Sequence, residues 1–123
     1  MQPHAQEPLP VKQPGPDHPI DVAPQRGHVV VAVAGKVIAD TRHALRLQEA
    51  RYPPVQYIPR EDARMDLLAP SAHETYCPYK GKCRYFNIPL AGERGINAVW
   101  SYESPYPAVH QIAGHLAFYP DRV

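Results

Sequence analysis

The sequence predicts a compact, mainly β domain, built as a barrel or a sandwich with one or two short helices. Short runs of β-branched and aromatic residues recur along the chain, and turn residues separate them. The 123 residues include 16 prolines, far above the roughly 5% of average usage, so few stretches can form a long helix. A chain of this length suits one domain with one modest core.

Residues 1–27 differ from the rest of the chain in composition. They contain seven prolines and few aliphatic side chains, and such a segment buries too little surface to offset the entropy lost on ordering. We therefore interpret them as an extended, proline-rich arm in front of a β-rich domain, 28–123. Because Ile20 and Val22 alternate after a proline, the last third of the arm is expected to lie along the domain as an edge segment.

The domain opens with the clearest strand pair of the sequence, from His28 to Asp40. Two β-branched runs flank Gly35 and Lys36, and glycine supplies the positive φ that a tight hairpin turn requires. This pattern predicts a β-hairpin.

The next stretch, residues 41–58, has two interpretations. Thr41 could cap a helix made of good helix formers. Leu45 and Leu47, however, alternate with polar residues and precede a Pro-Pro turn and a strand-like run. We predict a second hairpin here.

The remaining elements follow from spacing and composition. Residues 60–70 have apolar positions at helical spacing and predict one short helix. Residues 82–90 and 97–104 are aromatic-rich and predict strands. One or two helical turns are expected within 105–114, and a closing strand within 115–123.

Cys77, Cys83 and His73 are good metal-ligand types within one short stretch. A structural zinc site needs four ligands, usually as two close pairs, whereas these cysteines are spaced C-x5-C and no second pair exists. A disulfide would close a very short loop and stabilise little. We therefore predict neither a metal nor a cofactor.

Two other interpretations of this stretch stay open. Basic neighbours such as Lys80 and Lys82 would favour the thiolate of Cys77, which makes Cys77 a candidate nucleophile or redox centre. Alternatively, Pro78 and Gly81 form a rigid turn that presents Lys80 to an anionic ligand.

Charge and hydropathy exclude several classes of function. The formal net charge of +1 provides no strong field for nucleic acid, and the lysines are dispersed. The first residues lack an apolar run long enough for a signal peptide or a membrane span. We expect a cytoplasmic protein without membrane or nucleic-acid partners.

Four segments from His28 onward occur in this order: VIADTRHALRLQEARYPPVQYIPREDARMDLL, TYCPYKGKCRYF, AVWSY and LAFYPDRV. Together they resemble domain-of-unknown-function family 427, small bacterial proteins sometimes labelled nucleotidyltransferase-like. The resemblance implies a compact β-tent similar to Mss4-like folds, a group in which many members carry zinc on two cysteine pairs that this chain lacks. The residues give the nucleotidyltransferase label no mechanism, because no Gly-Ser turn precedes the nearest carboxylates, Asp62 and Asp66.

The leading hypothesis is a module that binds a small anionic ligand in an aromatic pocket edged by Arg60 and Lys80. The alternatives are a thiol-dependent enzyme that uses Cys77, and an interaction module whose proline-rich arm docks a partner. Whether the protein is an enzyme is open at this point. The candidate ligand-binding residues match the family pattern and are polar or aromatic: Arg42, Glu49, Tyr57, Arg60, Tyr76, Lys80, Tyr85, Trp100 and Tyr102.

Overall fold

The computed structural model describes residues 9–123 as strands in three antiparallel sheets, joined by turns and short 3₁₀ segments. The first sheet has the order β1 (Ile20–Pro24), β4 (Leu45–Glu49), β5 (Val55–Tyr57), and the second pairs β2 (Val29–Val33) with β3 (Lys36–Thr41). The third has the order β6 (Ala69–Cys77), β7 (Gly81–Asn87), β8 (Val99–Ser101), β9 (Ala117–Phe118). The 3₁₀ segments are Arg60–Asp62, Met65–Leu67, Pro89–Gly95, Pro107–Ile112 and Pro120–Arg122.

The prediction of a compact, mainly β domain is confirmed, although the described sheets do not close into a barrel. Residues 41–58 form the predicted hairpin of β4 and β5. The edge segment of the arm is also confirmed, since β1 pairs with the outer edge of β4. The part of the arm before Leu9 lies outside the described residues.

The prediction of one helix within residues 60–70 is wrong, because the chain there forms two 3₁₀ turns separated by an extended residue, Ala63. Ala63 makes a β-bridge to Ala39, and the amide of Arg64 donates to the carbonyl of Ile38 at 2.8 Å. Backbone pairing with β3 therefore competes with a continuous helix and replaces it.

The predicted β2–β3 turn and the predicted closing strand need smaller corrections. In the β2–β3 hairpin, Ala34 and Gly35 adopt positive φ values of 51° and 78°, so the turn begins one residue earlier than predicted. The closing strand is limited to Ala117–Phe118, because Pro120 begins a 3₁₀ turn.

The core consists of two clusters that meet along the third sheet. An apolar cluster lies around β2, β3 and one part of β7, β8 and β9. It contains Val31, Val33, Ile38, Ala39, Ile58, Leu68, Phe86, Ile88, Ala98, Val99, Leu116 and Phe118. A tyrosine cluster contains Leu47, Tyr57, Cys83, Tyr85, Tyr102, Val109, Ile112 and Ala117. No helix within residues 9–123 has the length and apolar composition needed to cross a membrane.

Candidate functional site

Lys80 lies in the turn between β6 and β7, and its side chain points inward. Gly81 has a φ of 109°, which favours glycine, and this tight turn places Lys80 at only 9% exposure. The lysine ammonium donates to Oε1 of Glu49, at the end of β4, and Oε2 of Glu49 lies 2.8 Å from Nε2 of His18. The turn therefore holds Lys80 in a shielded ion pair and not at an exposed apex.

The environment keeps Glu49 ionised. Burial alone would raise the pKa of Glu49, but hydrogen bonds from Lys80 and His18 and their charges outweigh it and lower the pKa below its usual value. The ammonium of Lys80 also lies 5.7 Å from the ring centroid of Tyr102, and His18 stacks on Tyr79 with centroids 4.0 Å apart. This network joins the arm, β4 and the β6–β7 turn.

Two hydroxyls of the tyrosine cluster have hydrogen-bond partners on neighbouring strands. The indole nitrogen of Trp100 donates to the hydroxyl of Tyr57 at 3.2 Å, and the hydroxyls of Thr75 and Tyr85 lie 2.9 Å apart. Burial raises the pKa of Tyr85 to about 12, and it also raises the pKa of Tyr57 and Tyr102. These hydroxyls therefore stay protonated at neutral pH.

The two cysteines are free and differ in burial. Cys83 is 1% exposed, and burial raises the pKa of its thiol, which disfavours the nucleophilic thiolate. Cys77 is half-buried at the end of β6. Within residues 9–123, no three His, Cys, Asp or Glu side chains lie together as metal ligands would. A catalytic role for Cys77 stays a prediction.

The other predicted site residues have separate neighbours. Arg60 donates to Glu103 at 2.7 Å and to the carbonyl of Gly114 at 3.0 Å. Tyr76 donates to the carbonyl of Pro10 at 2.6 Å.

Arg42 is exposed in the turn after β3. The structure thus brings together two groups of the predicted site residues. Glu49 and Lys80 lie with Tyr102, and Tyr57 lies with Trp100. Arg42, Arg60 and Tyr76 make none of these contacts.

A cavity of about 470 Å³ lies between β2 and β5, and we call it the β2–β5 groove. Most of its lining is apolar, and it includes Trp100, which is half-buried. Arg46 and Gln56, directly opposite each other on β4 and β5, supply polar groups. The lining residues are Gln25, Val29, Val30, Val31, Ala32, Arg46, Pro54, Val55, Gln56, Ile58, Trp100, Phe118, Pro120 and Val123.

Arg46 is exposed, and no carboxylate among residues 9–123 lies within salt-bridge distance of it. Its side-chain contact is a long hydrogen bond of 3.4 Å to the amide oxygen of Gln48. The guanidinium is therefore available to an anion at the groove.

A second cavity, of about 600 Å³, lies over β6 and β7 and is more polar. Its lining contains both signs of charge, including Lys82, Arg84, Glu74 and Glu103. Glu103 lies 3.6 Å from Arg84 and 2.7 Å from Arg60, so much of this charge is already neutralised. This cavity therefore offers less free electrostatic attraction than the β2–β5 groove.

Two of these residues, Arg46 and His18, were not predicted from the sequence. Arg46 alternates with Leu45 and Leu47, which is typical of the solvent face of a strand, and the sequence gives no sign that β2 and β5 line one cavity. The position of His18 at the start of the predicted edge segment could have indicated a contact with the domain.

A family model, described as a domain of unknown function (DUF427), matches residues 21–123. The chain belongs to the DUF427 family. The DUF427 region begins inside β1 and includes β2 to β9, so the ion pair of Glu49 and Lys80 and the strands around the groove are all within it. No curated protein matches the chain.

Proposed function

We propose that this DUF427 domain binds a small organic anion, an apolar body with one carboxylate, in the β2–β5 groove. The observation that carries the proposal is the guanidinium of Arg46, which has no carboxylate partner among residues 9–123, beside an apolar cavity that contains Trp100. Small-ligand sites typically combine these two features, since apolar walls supply affinity and a few polar groups fix orientation.

The apolar part of the groove suits a hydrocarbon or aromatic body. Trp100, Phe118 and Ile58 contribute large apolar side chains, and valines of β2 and β5 complete the wall. The cavity volume of about 470 Å³ falls within the range of small-ligand pockets. An apolar ligand would remove this surface and its own from water, which favours binding.

The polar groups of the groove favour an anion over a cation. No acidic side chain of the described residues lines the groove, and the amides of Gln25 and Gln56 add neutral hydrogen-bonding groups. Because the planar guanidinium of Arg46 presents donors in a fork, it can hold a carboxylate with two parallel hydrogen bonds.

This proposal keeps the predicted ligand class but gives the anion a different partner. Arg60 and Lys80 already contact Glu103 and Glu49, so neither offers a free charge. A thiol-dependent reaction at Cys77, partner docking by the arm, the Mss4-like relation and a cytoplasmic location stay predictions.

The intrinsic fluorescence of Trp100, the single tryptophan of the chain, provides a direct test. We expect octanoate to cause a saturable fluorescence change, and octylammonium to bind at least about tenfold more weakly because its charge is repelled by Arg46. An equal response to both compounds, or none to octanoate, would contradict the proposal.

Matched arginine variants then test the role of Arg46. Arg46→Gln should weaken octanoate binding about tenfold, the loss of one charge-assisted interaction. Arg64→Gln is the control, because Arg64 is also exposed but pairs with Asp66 away from the groove. Its octanoate affinity should equal that of the wild type.

A further inference from the structure

One edge of β2 has no strand partner among residues 9–123. β2 pairs with β3 along its other edge, and these strands form a two-stranded sheet. A free strand edge exposes backbone N–H and C=O groups that another extended chain can pair with.

The β2–β5 groove runs along this edge. Four consecutive residues, Val29 to Ala32, line it. Because successive side chains of a strand point to opposite faces, a cavity lined by all four lies beside the strand and not above one face. On the other side, Pro54, Val55 and Gln56 are also consecutive, while Ile58, directly after β5, bridges to Leu116 in front of β9. The groove therefore lies along the free edge of β2, opposite residues 54–56.

The side chains of β2 do not protect its edge. Natural edge strands commonly carry charged residues or proline that prevent pairing, whereas β2 reads VVVAV. A β-bulge between Val31 and Ala32 shifts the register in which β2 pairs with β3. Regular pairing with a new strand would thus be confined to about the first three residues, which suits a short segment.

We infer that the groove binds the C-terminal end of an extended peptide, which adds to the edge of β2 and places its terminal carboxylate on Arg46. This inference rests on the proposed function, because it names the class of the anion. Backbone hydrogen bonds to β2 would supply affinity, and alternate apolar side chains would contact the wall that includes Trp100 and Phe118. A peptide terminus combines all the features that the groove can recognise.

Calorimetric titration with synthetic peptides tests the inference. The probe is acetyl-Lys-Thr-Val-Thr-Val with a free carboxylate, and its comparison is the same peptide with an amidated C-terminus. We expect the free acid to bind and the amide to bind about tenfold more weakly, and Arg46→Gln should abolish this difference.

Backbone N-methylation separates strand addition from simple anion binding. Two further peptides carry one N-methyl group each, at the last valine or at the preceding threonine, so that each removes one backbone donor. At least one of them should bind about tenfold more weakly than the parent, because successive amides of a strand point in opposite directions.

The outcomes distinguish the two proposals. If octanoate binds but the parent peptide does not, or if both N-methylated peptides bind as the parent does, the peptide inference is wrong and the proposed function stands. If neither octanoate nor the peptide binds, both are wrong.

Discussion

The tyrosine cluster and the β2–β5 groove both contain aromatic side chains and border charged residues, but they differ in what is left unpaired. In the network beside the tyrosine cluster, Glu49 is hydrogen-bonded to both Lys80 and His18. In the cluster itself, the hydroxyl of Tyr57 accepts a hydrogen bond from Trp100. In the groove, Arg46 has no carboxylate partner among residues 9–123.

This difference teaches that residue types alone do not locate a site. Within residues 9–123, no buried side-chain nitrogen or oxygen lacks a hydrogen-bond partner. A network whose members satisfy one another stabilises the fold, and it has little capacity left to attract a ligand. The groove contains fewer polar groups, yet Arg46 has no carboxylate partner in the described part of the chain.

If the tyrosine cluster and the Glu49 network are structural, substitutions there should lower stability more than substitutions in the groove. Glu49→Gln removes the counter-charge of Lys80, which is buried, and we expect it to lower the free energy of unfolding by about 2–4 kcal/mol. Urea denaturation measures this change. Asp66→Asn, which breaks the exposed pair with Arg64, is the matched control and should change stability little. If the two variants lowered the free energy of unfolding equally, the Glu49 network would contribute no more to stability than an exposed ion pair, and the contrast with the groove would be lost.

The same pair predicts a dependence on pH. The pKa of Glu49 is lowered from 4.5 in the folded protein, so its ionised form stabilises the fold. This contribution is complete above the unfolded-state pKa and is lost as the pH falls through the lowered folded-state pKa. The stability difference between wild type and Glu49→Gln should therefore shrink in acid. A difference that stays constant between neutral pH and about pH 3 would contradict an ionised Glu49.

A smaller effect is expected within the tyrosine cluster. Tyr57→Phe removes the acceptor of the Trp100 indole N–H and should cost about 1 kcal/mol of stability, with a shift in Trp100 emission. Tyr52→Phe, at a position 63% exposed, is the control. An unchanged emission spectrum in Tyr57→Phe would show that the indole contact does not persist in solution.

The sequence predicted most of the fold, because hairpins depend on local signals. The alternation of Leu45 and Leu47 outweighed the helix propensity of their neighbours, and β4 forms as that pattern indicates. The helix expected near Ala63 failed because its backbone bonds go to β3, a partner distant in sequence.

The candidate site was harder to predict, because its contacts also join segments that are distant in sequence. Lys80 follows Pro78 in a turn, a context typical of exposed lysine, and only the folded chain brings Glu49 to it. Arg46 looks like an ordinary solvent-facing residue until the fold brings residues of β2 and β5 around one cavity. Free and paired charges look alike in a sequence, because pairing depends on contacts between distant segments.

The smallest effect on stability is the most informative about the groove. Arg46 is exposed and makes no ion pair with the described residues, so Arg46→Gln should change the free energy of unfolding by less than about 0.5 kcal/mol. The same variant should lose most of its affinity for octanoate. Separate urea and fluorescence titrations measure the two quantities. A stability loss comparable to that of Glu49→Gln would instead make Arg46 part of the structural network. The contrast between the tyrosine cluster, whose polar groups bind one another, and the groove, whose arginine is available to a ligand, would then not hold.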